Sequence, residues 1–263
     1  MSNSKSIEEI RAHWEKAGQK QGEDVKTTPT SRDPYLADLE TKFIIQHLRP
    51  NYKVLEIGCG DGGHTRKYSK YVNKILGIDI SKSLIKKAQK RLSHTENTEL
   101  ACSSVLDLKS RFENGWLDCV ISQRCLINLP TWDYQKKALQ IVHGLLKKGG
   151  IFILTEGFEE GLERLNLLRS RNGLDAIKVV SYNKFFKRDK FEEFVQKFFS
   201  TEDFRDYGFY LLLSRLIYPL VIFPEKPKHD SRFNAIAKNI STQLGEIKLE
   251  EYSYNLFYCL KKK

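Results

Sequence analysis

Val54-Leu55-Glu56-Ile57-Gly58-Cys59-Gly60-Asp61-Gly62-Gly63, VLEIGCGDGG, decides how the rest of this chain is read. A short apolar run that stops at glycines has the pattern of a buried strand entering a tight loop. The spacing after Asp61 predicts a helix to about Lys70, and KILGIDI, Lys74 to Ile80, predicts a second strand. The unit is therefore β-α-β. Its loop fits G-x-G-x-x-G, a pattern in which bare backbone approaches an adenosine-bearing ligand. Asp79 closes the second strand about twenty positions on, where a carboxylate accepts hydrogen bonds from ribose hydroxyls.

The rhythm continues downstream. Ser81 caps a predicted helix to about Leu92; strands follow at Thr98 to Ser103 and Leu117 to Ser122; Trp132 to Leu146 is an amphipathic helix closed by Lys147-Lys148-Gly149-Gly150; and Ile151 to Thr155 is a fifth strand. Beyond Glu156 the alternation breaks. A helical or irregular stretch covers Leu162 to Asn183, a helix Arg188 to Phe199, a strand Glu202 to Tyr210, and a last strand Tyr252 to Leu260, placed antiparallel at the sheet edge. This predicts an α/β fold, a Rossmann-like doubly wound, mostly parallel seven-stranded sheet. A helical N-terminal cap, 1–50, precedes a domain, 51–263, with lid insertions at about 158–186 and 209–250. Residues beyond the carboxyl ends of the strands then share one crevice: the glycine loop, Asp79, Ser104 and Gln123.

Composition narrows the partners. With 44 Lys and Arg against 33 Asp and Glu in 263 residues, the net charge of +11 favours anionic ligands without naming one. The lysines are scattered rather than gathered in a stripe, which argues against nucleic acid. The five cysteines form no C-x-x-C pair, which predicts a reducing cytoplasm and no metal site. Phe209 to Phe223, FYLLLSRLIYPLVIF, is too short for a span of roughly 20 residues and carries Arg215 and Pro219, so no stable membrane insertion is expected.

NAD and S-adenosylmethionine both offer an adenosine ribose, and Glu56 discriminates between them. A carboxylate two residues before Gly58 crowds a pyrophosphate with negative charge but suits a cationic aminoacyl and sulfonium tail. VLEIGCGDGG, GIDIS, SSVLDL, DCVIS, LLKKGG and IFILTE, in that order, resemble the motifs of class I S-adenosylmethionine-dependent methyltransferases. The resemblance covers Tyr52 to Glu156 most closely. It implies S-adenosylmethionine as cofactor, Gly58 and Gly60 at its aminoacyl end with Glu56, Asp79 on the ribose, and Val105 on the adenine through its backbone. Ile57, Cys59, Ile80 and Gln123 stand beside these contacts. Ser104 occupies a place where many members carry an acid. SQRCLINLPTWDYQKKAL from Ser122, LERLNLLR from Leu162 and YLLLSR from Tyr210 are similar to a subset associated with surface-glycan biosynthesis, capsule or lipopolysaccharide. That implies O-methylation of a sugar, sugar phosphate or phosphoramidate group.

A hydroxyl acceptor needs a base and an anionic acceptor needs cations. The candidate bases are Glu156, which equally suits capping a helix N-terminus, and His229 beside Asp230. The candidate acceptor contacts are Arg124, Asn128, Arg169, Tyr210 and Arg215. Trp14 and Tyr35 of the prefix are candidates to close over the cofactor. Two alternatives to the small-molecule enzyme remain: an RNA methyltransferase, and a non-catalytic module that binds the cofactor.

Overall fold

A computed structural model describes residues 6–20, 33–110, 112–244 and 247–263. The parts of the predicted prefix at 1–5 and 21–32, and residues 245–246 of the second insertion, lie outside the described residues. Two helices form the described prefix, α1 (Ile7–Lys20) and α2 (Pro34–His47). Asp33 starts α2: its carboxylate accepts from the Tyr35 and Leu36 amides at 3.0 Å each, with proline in the first turn.

The sheet begins with β1 (Lys53–Ile57) and β2 (Lys74–Asp79), joined through a four-residue α3 (Thr65–Tyr68). The predicted helix from Asp61 starts late because Gly62 holds φ +76°, outside helical space. α4 (Lys82–Arg91), β3 (Thr98–Cys102), β4 (Leu117–Gln123), α5 (Trp132–Leu145) and β5 (Leu146–Gly157) follow. Ser81 caps α4, accepting from the Leu84 amide at 3.2 Å. β5 starts earlier than predicted because Leu146 already pairs with Leu117, so the KKGG segment lies within the strand.

The second half comprises α6 (Glu159–Arg171), α7 (Arg188–Val195), β6 (Phe199–Asp206), α8 (Gly208–Leu212), a π turn at Leu213–Ile217, α9 (Tyr218–Ile222), α10 (Arg232–Gln243) and β7 (Asn255–Lys262). The sheet order is β3-β2-β1-β4-β5-β7-β6, with seven strands. β7 runs antiparallel to both β5 and β6, so it lies inside the sheet, and β6 takes the edge position that the sequence suggested for it.

Alternate residues of the central strands feed two apolar layers. Leu55, Leu76, Val120 and Phe152 face α5, where Leu139 and Val142 meet them. Val54, Ile75, Ile121 and Ile153 face α2, where Leu39, Phe43 and Ile44 meet them. The segment 209–244 packs on this second face: Tyr210 and Leu211 join its core, and the Lys238 ammonium lies 2.7 Å from Asp38 of α2. Among the described residues no helix is long and apolar enough to cross a membrane.

Gly161 fixes the approach of α6 to the chain before β7. A Cβ there would lie 2.0 Å from the Ser253 carbonyl oxygen, and backbone cannot yield as a side chain can. Gly161→Ala is expected to lower unfolding free energy by about 1–3 kcal/mol in urea titration; an unchanged midpoint would show that α6 and this segment are not held together.

Candidate active site

A crevice of about 1080 Å³, including its open mouth, lies beyond the carboxyl ends of β1 to β4. Its floor is the glycine loop. The Gly58 and Cys59 amides both donate to the Ile78 carbonyl, at 2.8 and 2.9 Å, folding the loop back on β2. Gly58 has φ +75°, and a Cβ there would meet the Cys125 sulfur at 2.5 Å, so only glycine fits. At Gly60, φ +56°, a Cβ would meet nothing within 4 Å. Open space above bare backbone is the condition for a ligand to lie close.

Asp79 links the loop to α4: one carboxylate oxygen accepts from the Gly60 amide at 3.0 Å, the other from the Ser81 amide at 2.9 Å. Burial, more than these bonds, sets the direction of its pKa, which is raised. Ser104 accepts from the Leu106 amide at 3.2 Å and leads into a 3-10 turn from Val105.

Glu56 is 3% exposed and lines the crevice, and its Oε2 has no hydrogen-bond partner among the described residues. Burial, with Asp79 and Asp61 nearby, pushes its carboxyl up to about 7 although Thr65 acts in the opposite direction. A buried acid without a donor is costly unless a ligand supplies one. Glu56, Asp61 and Asp79 line this crevice; Asp61 is paired with Arg91 at 2.8 Å, and the other two make a poor wall for a pyrophosphate and a good one for a cation. The residues present fit S-adenosylmethionine.

The roof comes from the prefix. Ile7, Ile10 and Trp14 of α1 line the crevice. Glu15 ties α1 to the start of α4, accepting from the Ser81 hydroxyl at 2.8 Å, the Ser83 amide at 3.1 Å and the Ser83 hydroxyl. These bonds, the Ser83 hydroxyl foremost, hold its carboxyl down to about 2. Tyr35 lies elsewhere, with its hydroxyl 3.3 Å from the Asp230 carbonyl. No described residue of 158–186 or 209–250 lines the crevice. The first insertion reaches the roof from outside, with the Tyr182 ring 5.4 Å from that of Trp14.

All ten residues assigned to the cofactor from the sequence line this one crevice: Glu56, Ile57, Gly58, Cys59, Gly60, Asp79, Ile80, Ser104, Val105 and Gln123. Residues 54–150 match a family described as a methyltransferase domain. Over these residues the chain carries a methyltransferase domain of the class I, S-adenosylmethionine-dependent kind. It is 27% identical over 159 residues to a phosphoethanolamine N-methyltransferase of Triticum aestivum, covering 59% of this chain and 32% of that one. It is 28% identical over 126 residues to the ubiquinone/menaquinone biosynthesis C-methyltransferase UbiE of Vibrio cholerae, covering 46% of each. The chain thus spans less than half the length of these curated relatives. The [4+2]-cyclase SpnF superposes with a TM-score of 0.60 at 12% identity, over 98% of this chain and 94% of that one. That likeness shows the fold alone, and the same fold in a protein named as a cyclase leaves the reaction to the site.

The residues expected to meet the acceptor divide. Arg124 and Asn128 line the crevice. Arg124 has φ +51° and pairs with the fully buried Glu40 at 3.2 Å. Asn128 secures the loop by donating to the Arg124 and Cys125 carbonyls at 3.0 and 3.2 Å. Tyr210 and Arg215 do not reach it: the Tyr210 hydroxyl donates to both Asp33 oxygens, at 2.9 and 2.8 Å, and Arg215 forms a buried ion pair with the same carboxylate. Arg169 donates to the Arg215 carbonyl and, at 2.8 Å, to the Asp175 carbonyl. Tyr210 and Arg215 fasten the second insertion to the cap of α2, and Arg169 of the first insertion braces Arg215.

Neither proposed base faces the crevice. Glu156 is fully buried and accepts from the Ser122 hydroxyl at 2.7 Å and the Cys125 and Leu126 amides at 3.0 and 2.9 Å. Its role is to cap the short turn after β4, the alternative the sequence left open. His229 lies on an exposed loop whose carbonyl accepts from Asn234 at 3.0 Å, away from the crevice residues. The histidine that does line the crevice is His64, which stands just past the glycines and which sequence reasoning passed over.

Glu56→Gln keeps the shape and removes the charge. S-adenosylhomocysteine affinity is expected to fall about tenfold or more by calorimetry at pH 8; unchanged affinity would remove Glu56 from the aminoacyl end. In the ligand-free chain Glu56 and Glu156, both raised from 4.5 to about 7, retain protons that the unfolded chain has lost. Their contribution to stability is full below about pH 4.5 and is lost as pH rises through about 7, so the urea midpoint should fall across that window and fall less in Glu56→Gln. Arg215→Ala is expected to cost about 3–5 kcal/mol of stability, by stranding Asp33, with S-adenosylhomocysteine affinity within about twofold of wild type. A large loss of affinity in a stable Arg215→Ala protein would return that arginine to the site.

Proposed function

We propose that the chain is an S-adenosylmethionine-dependent methyltransferase that methylates a hydrogen-bearing nitrogen or oxygen of a small anionic molecule. The observation that carries this reading is the division of charge in the crevice. Glu56, Asp61 and Asp79 supply its acids, and Arg124 is the only cationic side chain lining it among the described residues. The bound cofactor supplies a methyl group on a cationic sulfur. Glu56 and the glycine loop hold its aminoacyl end, Asp79 the ribose, and Ser104 and the Val105 backbone the adenine, with Ile57, Cys59, Ile80 and Gln123 completing the walls. Arg124, fixed by Glu40, holds the anionic group of the acceptor. α1 limits water at the reacting atoms, and for a neutral amine, which needs no base, what remains is alignment.

Within this class, a relative named for phosphoethanolamine, which carries both a phosphate and an amine, supports nitrogen as acceptor atom. The segments similar to surface-glycan enzymes support a hydroxyl of a sugar or sugar phosphate in polysaccharide biosynthesis. The division into a cap, 1–50, and a domain, 51–263, fits this reading with the cap as roof. Five free cysteines fit a reducing, cytoplasmic setting. A roofed crevice favours a small acceptor over RNA.

The test is transfer of tritiated methyl from S-adenosylmethionine to phosphoethanolamine, nucleotide sugars, sugar phosphates, phosphoramidates and total RNA. Label in one of the small anions, lost with Arg124→Ala, is expected. Label in RNA alone would replace the small-molecule reading, and cofactor binding without transfer to any of them would leave a binding module.

A further inference from the structure

His64 is held by its surroundings in one protonation state. Its Nδ1 lies 3.4 Å from the Thr41 hydroxyl oxygen and 3.5 Å from the Tyr68 hydroxyl oxygen. Both hydroxyl protons are directed elsewhere: Thr41 donates to the Ala37 carbonyl at 2.7 Å, and Tyr68 to the Gln123 side-chain carbonyl at 2.8 Å. The orientation of that amide is set in turn, because Gln123 Nε2 donates to Glu40 at 2.8 Å. The Asn255 amide and the Arg124 guanidinium also meet Glu40, at 3.3 and 3.2 Å. Two oxygens that face Nδ1 with their own protons turned away can only accept. Nδ1 therefore carries the hydrogen, and Nε2 keeps a bare lone pair.

No group among the described residues bonds that lone pair, and His64 lines the crevice with Arg124, Gln123 and Asn128. A second proton is disfavoured. Burial first, then the Lys67 and Arg124 cations, hold the imidazole pKa down to about 3. Glu56 and Asp61 line the same crevice, and Glu40 lies behind Arg124, yet they do not reverse that direction. A ring so reluctant to charge is a poor store for a proton. It is a good fixed acceptor of a hydrogen bond.

We infer that His64 Nε2 accepts a hydrogen bond from the N–H of the neutral amine to be methylated, orienting the nitrogen lone pair toward the methyl group. The C–N bond forms as the C–S bond breaks, S-adenosylhomocysteine leaves, and the proton stays on the product ammonium, so that His64 need not take it. The inference rests on the methyl-transfer reading above and narrows it: the site selects acceptors that donate a hydrogen bond at the nucleophilic atom. A nucleophile without hydrogen, such as a tertiary amine, faces two lone pairs and is rejected. His64 thus sets specificity alongside Arg124, one reading the hydrogen of the nucleophile and the other the charge of its neighbour.

The test has a part that does not need the acceptor. In protein labelled with [15N]histidine and loaded with S-adenosylhomocysteine, the His64 ring, assigned by its loss in His64→Gln, is expected to show a protonated Nδ1 and bare Nε2 from pH 5 to pH 8. A protonated Nε2, or a doubly protonated ring at pH 6, overturns the inference whatever the enzyme methylates. The second part uses the compound labelled in the transfer screen. His64→Asn, which keeps a donor near Nδ1 and deletes Nε2, should lower kcat/KM about tenfold or more with S-adenosylhomocysteine affinity within twofold, and His64→Gln, which returns an oxygen near Nε2, should recover part of it. An unchanged kcat/KM, or an equal loss of cofactor affinity, contradicts it. If wild type labels nothing, the methyl-transfer reading fails, while the ring spectrum still decides the state of His64.

Discussion

The organisation of this molecule follows from one carboxyl group, Glu56, buried near the carboxyl end of β1 with an oxygen that no donor among the described residues satisfies. A parallel sheet covered on both faces leaves little room for charge in its interior. Here the charge is placed where β1 meets the glycine loop, facing a crevice rather than a helix. The protein leaves the stabilising partner to be supplied from outside. That makes a cationic ligand part of the electrostatic balance of the fold and separates this loop from one that cradles a pyrophosphate.

The opposite side of the crevice follows a different rule, in that the buried Glu40 ties several of its polar groups together. Glu40 gathers Gln123 and Arg124 at the end of β4 and Asn255 at the start of β7; Gln123 passes the constraint to Tyr68, and Tyr68 to His64. Such a network fixes orientation as well as position, because the Gln123 amide and the Tyr68 hydroxyl each have a set acceptor. One wall is thus electrostatically incomplete, as a binding wall must be. The other is rigid, as suits a wall that aims an acceptor.

What was legible in the sequence is what local pattern controls. The strand-loop-strand unit, the helix cap at Ser81 and the co-location of Glu56, Asp79, Ser104 and Gln123 follow from periodicity, glycine and sheet topology. The roles of Glu156 and Arg215 were not legible, since their chemistry depends on partners supplied by the fold. Glu156 meets a turn about thirty residues back whose amides converge on it, and Arg215 meets Asp33 across the whole domain, at a separation of 182 residues. A charged residue at a plausible place in the order of strands looks the same whether it faces a ligand or its own backbone. The position of β7 inside the sheet was missed for a similar reason, since an alternating strand does not announce its neighbours. His64 was passed over because its residue type is ambiguous; Thr41 and Tyr68, distant in sequence or in role, give it a defined tautomer.

The central claim is that Glu56 is completed by the cationic end of the cofactor. Its carboxyl stands at about 7 in the ligand-free crevice, so a cation placed against it must drive ionisation. Calorimetric titration of S-adenosylhomocysteine at pH 6, in two buffers of different ionisation enthalpy, counts the protons exchanged on binding. The account predicts release of up to about one proton in wild type and a clearly smaller release in Glu56→Gln. Binding with no proton release, or with the same release in both proteins, would contradict it.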